Sequence, residues 1–222
     1  AKLTLSRAAP DGRNDLRWPF VANCRSKAYP SAKADAVGDW LLDRPDPTTK
    51  IAPDIPALIT ALSKNDVTWL LAGSYVLALF GADIEPNDLD VVVCRDPENL
   101  KRLARCLEEL DAVPFWSGDP KWDHGTPDDH AAWRPEPATI EHLDQLFVTR
   151  HGMLDIPFAL VPDYDTLISQ CSQREIAGHM VDICNPRSVL IALEPRQRAK
   201  DRARRAIYSD MRKRFGLPPL PE

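Results

Sequence analysis

Apolar residues recur at helical spacing from Pro53 to Ser63, where Ile55, Leu58, Ile59 and Leu62 share one face and Pro53 suits a first turn. Val67–Ala72 is a short apolar run and predicts a buried strand. Ser74–Phe80 predicts a short apolar helix that Gly81 stops. Leu89–Cys94 predicts a second strand. Asp96 as N-cap, Pro97 at the first helical position and Glu98 behind it open a helix over Pro97–Leu110. Leu100, Leu103, Leu107 and Leu110 line one face of that helix.

Residues 114–138 are rich in Trp, Pro, Asp and His and read as a long loop, a length at which irregular backbone is often functional. Gln145–Thr149 and Met153–Leu160 predict two strands joined by a hairpin at Arg150-His151-Gly152. Asp163–Cys171 predicts a helix and Glu175–Ile183 a strand. Asn185 and Pro186 start a helix to Leu193, and a further helix spans Arg196–Phe215. Pro10, Gly12, Pro19, Pro30, Pro45 and Pro47 keep residues 1–50 irregular, apart from a short helix at Ala32–Leu42. Trp18, Phe20 and Trp40 need burial, so this N-terminal arm is expected to pack on the core. The division is an arm at 1–50, a core at 51–184 and a basic helical segment at 185–222, with no internal repeat.

Composition narrows the classes. The chain has 222 residues, 44% hydrophobic and 27% charged, as for a globular protein with a sizeable core. A net charge of -5 argues against coating nucleic acid over the whole surface. The charge is uneven. Arg196–Arg214 holds nine basic residues against Asp201 and Asp210, a surplus of seven that leaves the rest near -12. Such a segment suits phosphates of a nucleotide or of RNA, or else a solvated helix face paired to the acidic body. The five cysteines, Cys24, Cys94, Cys106, Cys171 and Cys184, form no C-x-x-C pair and suit a reducing, cytoplasmic setting. No apolar run approaches the roughly 20 residues a membrane span needs, and the first residues hold no signal-peptide apolar region.

The candidate chemistry lies in Trp69-Leu-Leu-Ala-Gly-Ser74 and Asp88-Leu-Asp90, separated by thirteen residues. A strand alternates its faces, so Asp88 and Asp90 project together while Leu89, Val91 and Val93 point to the core. Neighbouring carboxylates repel unless a cation sits between them. Magnesium takes hard oxygen ligands, commonly one or two carboxylates plus substrate phosphates. Asp155, between apolar Leu154 and Ile156, is a third candidate, because an acid in such a strand is costly to bury without a partner. Gly73 permits a tight turn and close approach of a phosphate, and the Ser74 hydroxyl and the N–H groups after it can bind phosphate oxygens.

Gly73-Ser74, Asp88-x-Asp90 and the later Asp155 resemble the nucleotidyltransferase superfamily with a DNA polymerase β-like palm. Within it the chain is most similar to the small prokaryotic branch of minimal and toxin–antitoxin nucleotidyltransferases. The likeness runs from Val67 to Asp201 and includes Gly178-His-Met-Val-Asp-Ile183 and Arg198-Ala-Lys200-Asp201. It implies an α/β (α+β) fold with a mixed sheet flanked by helices and a helical C-terminal segment. It implies that Asp88, Asp90 and Asp155 hold two Mg2+ ions, with Mn2+ as a substitute, and that Asp155 helps deprotonate an acceptor hydroxyl. Gly73, Ser74, Lys200 and Arg198 would bind the triphosphate of an NTP such as ATP. The implied reaction moves an NMP to a hydroxyl of RNA or tRNA, of a protein or of a small molecule. A toxin–antitoxin partner would follow from the same likeness. Relatives often carry a Lys about seven residues before the Arg-x-Lys-Asp, where this chain has an apolar run ending in Leu193. That departure supports a second reading, a nucleotidyltransferase-fold binding or antitoxin-type protein without turnover. Kinase-like or phosphohydrolase use of the same metals is a third.

Other features are weighed more simply. Asp123-His124 and Asp128-Asp129-His130 could suggest a transition-metal site, but their spacing is irregular and a solvated loop is expected. Trp116, Trp122 and Trp133 could stack a base, yet aromatic residues pinning a loop to the core explain them as well. His151 in the hairpin turn could orient an acceptor, although a turn histidine needs no such role.

Overall fold

The computed structural model describes residues 44–121, 123–137, 145–157, 164–193 and 198–220. The helix expected at Ala32–Leu42 and the burial of Trp18, Phe20 and Trp40 lie outside the described residues, as do Cys24, Trp122 and Arg196. The elements run α1 (Ile55–Lys64), β1 (Trp69–Leu71), α2 (Gly73–Leu79), β2 (Leu89–Val93), α3 (Pro97–Glu109), β3 (Val113–Pro114), α4 (Pro127–Ala132), β4 (Gln145–Thr149) and β5 (Gly152–Ile156). They continue with α5 (Tyr164–Ile168), β6 (Ser172–Ile176), β7 (His179–Ile183), α6 (Pro186–Leu193), α7 (Ala199–Ala203) and α8 (Arg205–Arg214). The seven strands form one mixed sheet in the order β3-β4-β5-β2-β1-β7-β6, flanked by helices.

The most apolar strands take the middle. All three residues of β1 are buried. β1 lies antiparallel to β2 and parallel to β7, and β2 runs parallel to β5. Leu58, Ile59 and Leu62 of α1 join Leu103 and Leu107 of α3 in the core, together with Leu70, Leu71, Val91 and Leu154 of the sheet. A polar pin fixes α3. The fully buried Asn99 side chain accepts from Thr68 N–H at 2.6 Å and donates to Thr68 O at 2.8 Å and Cys94 O at 2.7 Å. These are the backbone groups just outside β1 and β2, so one amide closes both strand ends.

Several elements differ from the periodicity. The strand expected over Glu175–Ile183 is a hairpin, β6 and β7, turning at Ala177 (φ 51°) and Gly178 (φ 78°). Two consecutive positive φ values fit a primed turn, whose twist suits paired strands. β6 is a polar edge strand with almost every side chain exposed, so it lacks the apolar alternation that marks a strand. The expected loop 114–138 contains α4 and the last residue of β3. Thr126, Pro127 and Asp129 form a capping box with Pro at the first helical position, a signature present in the sequence. The expected helix 163–171 is shorter, Tyr164–Ile168, and residue 163 lies outside the described residues, as do the last residues of the expected strand Met153–Leu160. The expected C-terminal helix is broken at Arg204 into α7 and α8.

Residues 44–54 are held tightly. The Arg44 guanidinium donates to the carbonyls of Ala131, Trp133 and Ala112 at 2.6, 2.9 and 2.8 Å. Asp54 N–H donates to His151 O and Met153 N–H to Ile51 O. Gly152 is required here, because a Cβ would lie 2.2 Å from Ala52 O at φ 93°.

Asn99→Leu removes the pin and leaves the Thr68 N–H and the Thr68 and Cys94 carbonyls without this partner, and it is expected to cost about 2 kcal/mol. Urea unfolding of the variant against wild type measures this.

Candidate functional site

Asp90 and Asp155 are Cα partners in the parallel β2–β5 ladder, as are Leu89 and Leu154. The two carboxylates therefore leave the same face of the sheet from adjacent strands, which run about 4.8 Å apart. Asp88 lies just ahead of β2, two positions before Asp90. The antiparallel pairing of β1 with β2 brings the next turn of chain to the same place, and Ala72 N–H donates to Asp90 O at 2.9 Å. Gly73 then turns into α2 with φ 66°. A Cβ on Gly73 would fall 1.7 Å from Asp90 Oδ2, so the carboxylate lies directly on this glycine. No other residue type leaves that space. Ser74, behind it, is buried.

The opposite side comes from α7. Lys200 Nζ is 3.7 Å from Asp88 Oδ2. Arg198 donates through Nε to Asp201 Oδ2 at 2.7 Å and through a terminal nitrogen to Asp201 Oδ1 at 3.2 Å. Asp201 is buried, with only 3% of its side chain exposed, and this bidentate bond compensates its charge. Burial works against the Arg198 charge. The bond and charge of Asp201, with the charges of Asp90 and Asp88, outweigh it and hold the guanidinium above its ordinary value. Arg204, at the break between α7 and α8, donates to Glu85 O at 2.7 Å and steadies the approach to β2.

One cleft gathers all seven residues singled out from the sequence: Gly73, Ser74, Asp88, Asp90, Asp155, Arg198 and Lys200. Its remaining wall is largely apolar, with Pro157, Leu167, Val189, Ala192, Leu193 and Tyr208. The run ending in Leu193 thus faces the cleft. Sequence reasoning gave no role to Asp201, Arg204 or Tyr208. A lone acid three residues after Arg198 in a basic run was the available signal for Asp201.

The oxygen donors suit a hard divalent cation, in kind and in the register of Asp90 with Asp155. They are not drawn together as a finished cage. Among the described residues no three His, Cys, Asp or Glu side chains cluster tightly enough to hold a metal as they stand. Asp88 has Lys200 against it.

The loop residues have structural partners. Asp123 accepts from Ser117 N–H and Oγ–H and from Asp119 N–H. Asp129 caps α4, and the buried His130 ring faces the carbonyls of Pro114 and His124, each at 3.1 Å. Trp133 packs on Phe147 with ring centroids 5.3 Å apart. His151 is four strand residues from Asp155, roughly 13 Å along the chain, and does not line the cleft. Cys184 does line it, but burial pushes its thiol up to about 12, so it stays protonated and is no nucleophile at neutral pH. The basic segment is less of a free face than its charge suggests. Arg212 donates to the carbonyls of Pro218 and Leu190, and Arg214 to Phe80 O.

No protein-family model matches the chain, and no curated protein sequence does. Among solved structures, the antibiotic-resistance factor ANT(2'')-Ia in solution shares 12% identity at a TM-score of 0.40, covering 72% of this chain and 89% of that one. ANT(2'')-Ia in complex with adenylyl-2''-tobramycin shares 13% at a TM-score of 0.34, covering 71% and 94%. The functional reading therefore rests on the cleft itself.

Gly73→Ala is expected to destabilise the fold by about 2 kcal/mol or more, through strain at positive φ and the collision with Asp90. In an Asp90→Ala background the same change should cost at least ~1 kcal/mol less. A double-mutant cycle in urea measures that coupling, and additive costs would contradict the contact.

Proposed function

We propose that the protein is a metal-dependent nucleotidyltransferase, moving an NMP from an NTP to an acceptor hydroxyl. One observation carries this reading: the β2–β5 register sets Asp90 beside Asp155, directly against the Gly73-Ser74 turn and facing Lys200 and Arg198. A donor set of hard oxygens packed on a glycine turn and two cations in one cleft match a triphosphate with its ions.

Asp88, Asp90 and Asp155 would hold Mg2+ or Mn2+, which when bound neutralises charge on the attacking and leaving oxygens. The Gly73 backbone, the Ser74 hydroxyl, Lys200 and Arg198 would bind the triphosphate. The apolar wall of Leu167, Val189 and Leu193 suits the face of a nucleobase. In the reaction the acceptor oxygen bonds the α-phosphorus as the bond to the β-phosphate bridging oxygen breaks, and pyrophosphate leaves. Asp155 would take the acceptor proton and pass it to solvent. The rest is positioning and charge compensation by a preorganised site.

The acceptor is a hydroxyl of a small molecule, an RNA or a protein, and transfer assays with each class separate them. A toxin–antitoxin partner is a further proposal, tested by co-purification with the neighbouring gene product. The apolar α6 wall favours a second reading, nucleotide binding without turnover. Calorimetry that shows NTP binding, together with no labelled product on any acceptor, would establish it.

Asp90→Asn and Asp155→Asn are each expected to lower transfer from an α-labelled NTP by on the order of a hundredfold or more. Transfer at the wild-type rate in either variant removes the catalytic assignment.

A further inference from the structure

We propose that Lys200 is the resident counter-ion of the carboxylate site, and that it must leave Asp88 for a divalent ion to bind there and then serves the nucleotide phosphates. This rests on the nucleotidyltransferase reading above. Of the described charged residues lining the cleft, four are acids (Asp88, Asp90, Asp155 and Asp201) and three are bases (Arg198, Lys200 and Arg204). Four minus three leaves one negative charge among these residues, a balance that disfavours a polyanion until a cation joins it. Arg198 is fixed in place by a bidentate bond to buried Asp201, which leaves its other terminal nitrogen for a phosphate. Arg204 is anchored on Glu85 O. Lys200 differs from both. Its nitrogen is 3.7 Å from Asp88 Oδ2, longer than a direct hydrogen bond, and its side chain is 36% exposed. It can swing on a flexible four-carbon stem.

Among the described residues the three carboxylates do not close as a metal cage, and one of them, Asp88, has an internal cation at hand. A divalent ion arriving at Asp88 displaces Lys200 and is repelled by it as long as it stays near. A triphosphate draws Lys200 away and lowers that barrier. Metal and nucleotide then help each other beyond the oxygen ligands they share, and linkage requires the help to be mutual.

The test uses the full chain and Mn2+, whose free aqua ion is counted by electron paramagnetic resonance, with no nucleotide present. Removing a cation should here strengthen binding of a cation. Lys200→Met is expected to bind Mn2+ about fivefold more tightly than wild type, the size of a partly exposed ion pair. Lys200→Arg, which keeps the charge, should stay within about twofold of wild type. With a non-hydrolysable NTP analogue the order reverses, and Lys200→Met binds the analogue more weakly. Thermal unfolding checks that both variants are folded. Unchanged or weaker Mn2+ binding in Lys200→Met, with binding lost in Asp90→Asn, overturns the counter-ion role and leaves the transferase reading in place. No Mn2+ binding by wild type at millimolar concentration overturns both.

Discussion

The structure turns on a single like-charge juxtaposition, Asp90 beside Asp155 in a parallel register at the edge of an apolar core. Burial and mutual repulsion both oppose that arrangement. The surrounding chain is arranged to tolerate it. Gly73 removes a side chain where Asp90 needs room, α2 starts with its positive end towards the carboxylate, and α7 supplies two cations across the cleft.

The same electrostatic logic orders the other end of α2. Its last carbonyls meet two arginines from distant parts of the sequence. Arg174 of β6 donates to Leu79 O and stacks on the Phe80 ring at 4.3 Å, and Arg214 of α8 donates to Phe80 O. Phe80 in turn meets Phe215 edge-on at 5.8 Å, and Arg187 donates to Phe215 O. Cations at a helix C-terminus and acids at its N-terminus both agree with the helix dipole. The basic C-terminal segment therefore acts in part as an internal clamp. A charge surplus of which Arg204, Arg212 and Arg214 are tied to backbone carbonyls is not by itself the mark of a nucleic-acid surface.

Much of the site was legible because its parts are local. Gly73-Ser74 after an apolar run, and Asp88 and Asp90 at strand spacing, are short-range patterns with a physical reading. Asp155 was legible as an acid between apolar neighbours. The register that joins Asp155 to Asp90 was not, since strand order depends on which edges meet after folding. Nor was the pairing of Arg198 with Asp201, which needs Asp201 buried, or the β6 edge strand, whose exposed side chains give no period. The helix α4 was missed for another reason. Its capping box was there to be read, but the density of Pro and Asp around it masked six helical residues.

Gly73, Asp88 and Asp90, Asp155, and Arg198 with Lys200 come from four separate stretches of chain, brought together only when β5, β2, β1 and α7 have all closed. Contacts of such sequence separation form late and at an entropic cost. No half of the chain holds a working fragment of the cleft. The repulsion between Asp90 and Asp155 also opposes the step that pairs β2 with β5. Anything that neutralises those carboxylates in the native state, an internal cation or a bound ion, stabilises that pairing by binding the folded form alone. Stability of the sheet and charge compensation at these two carboxylates are in this way linked through the β2–β5 register.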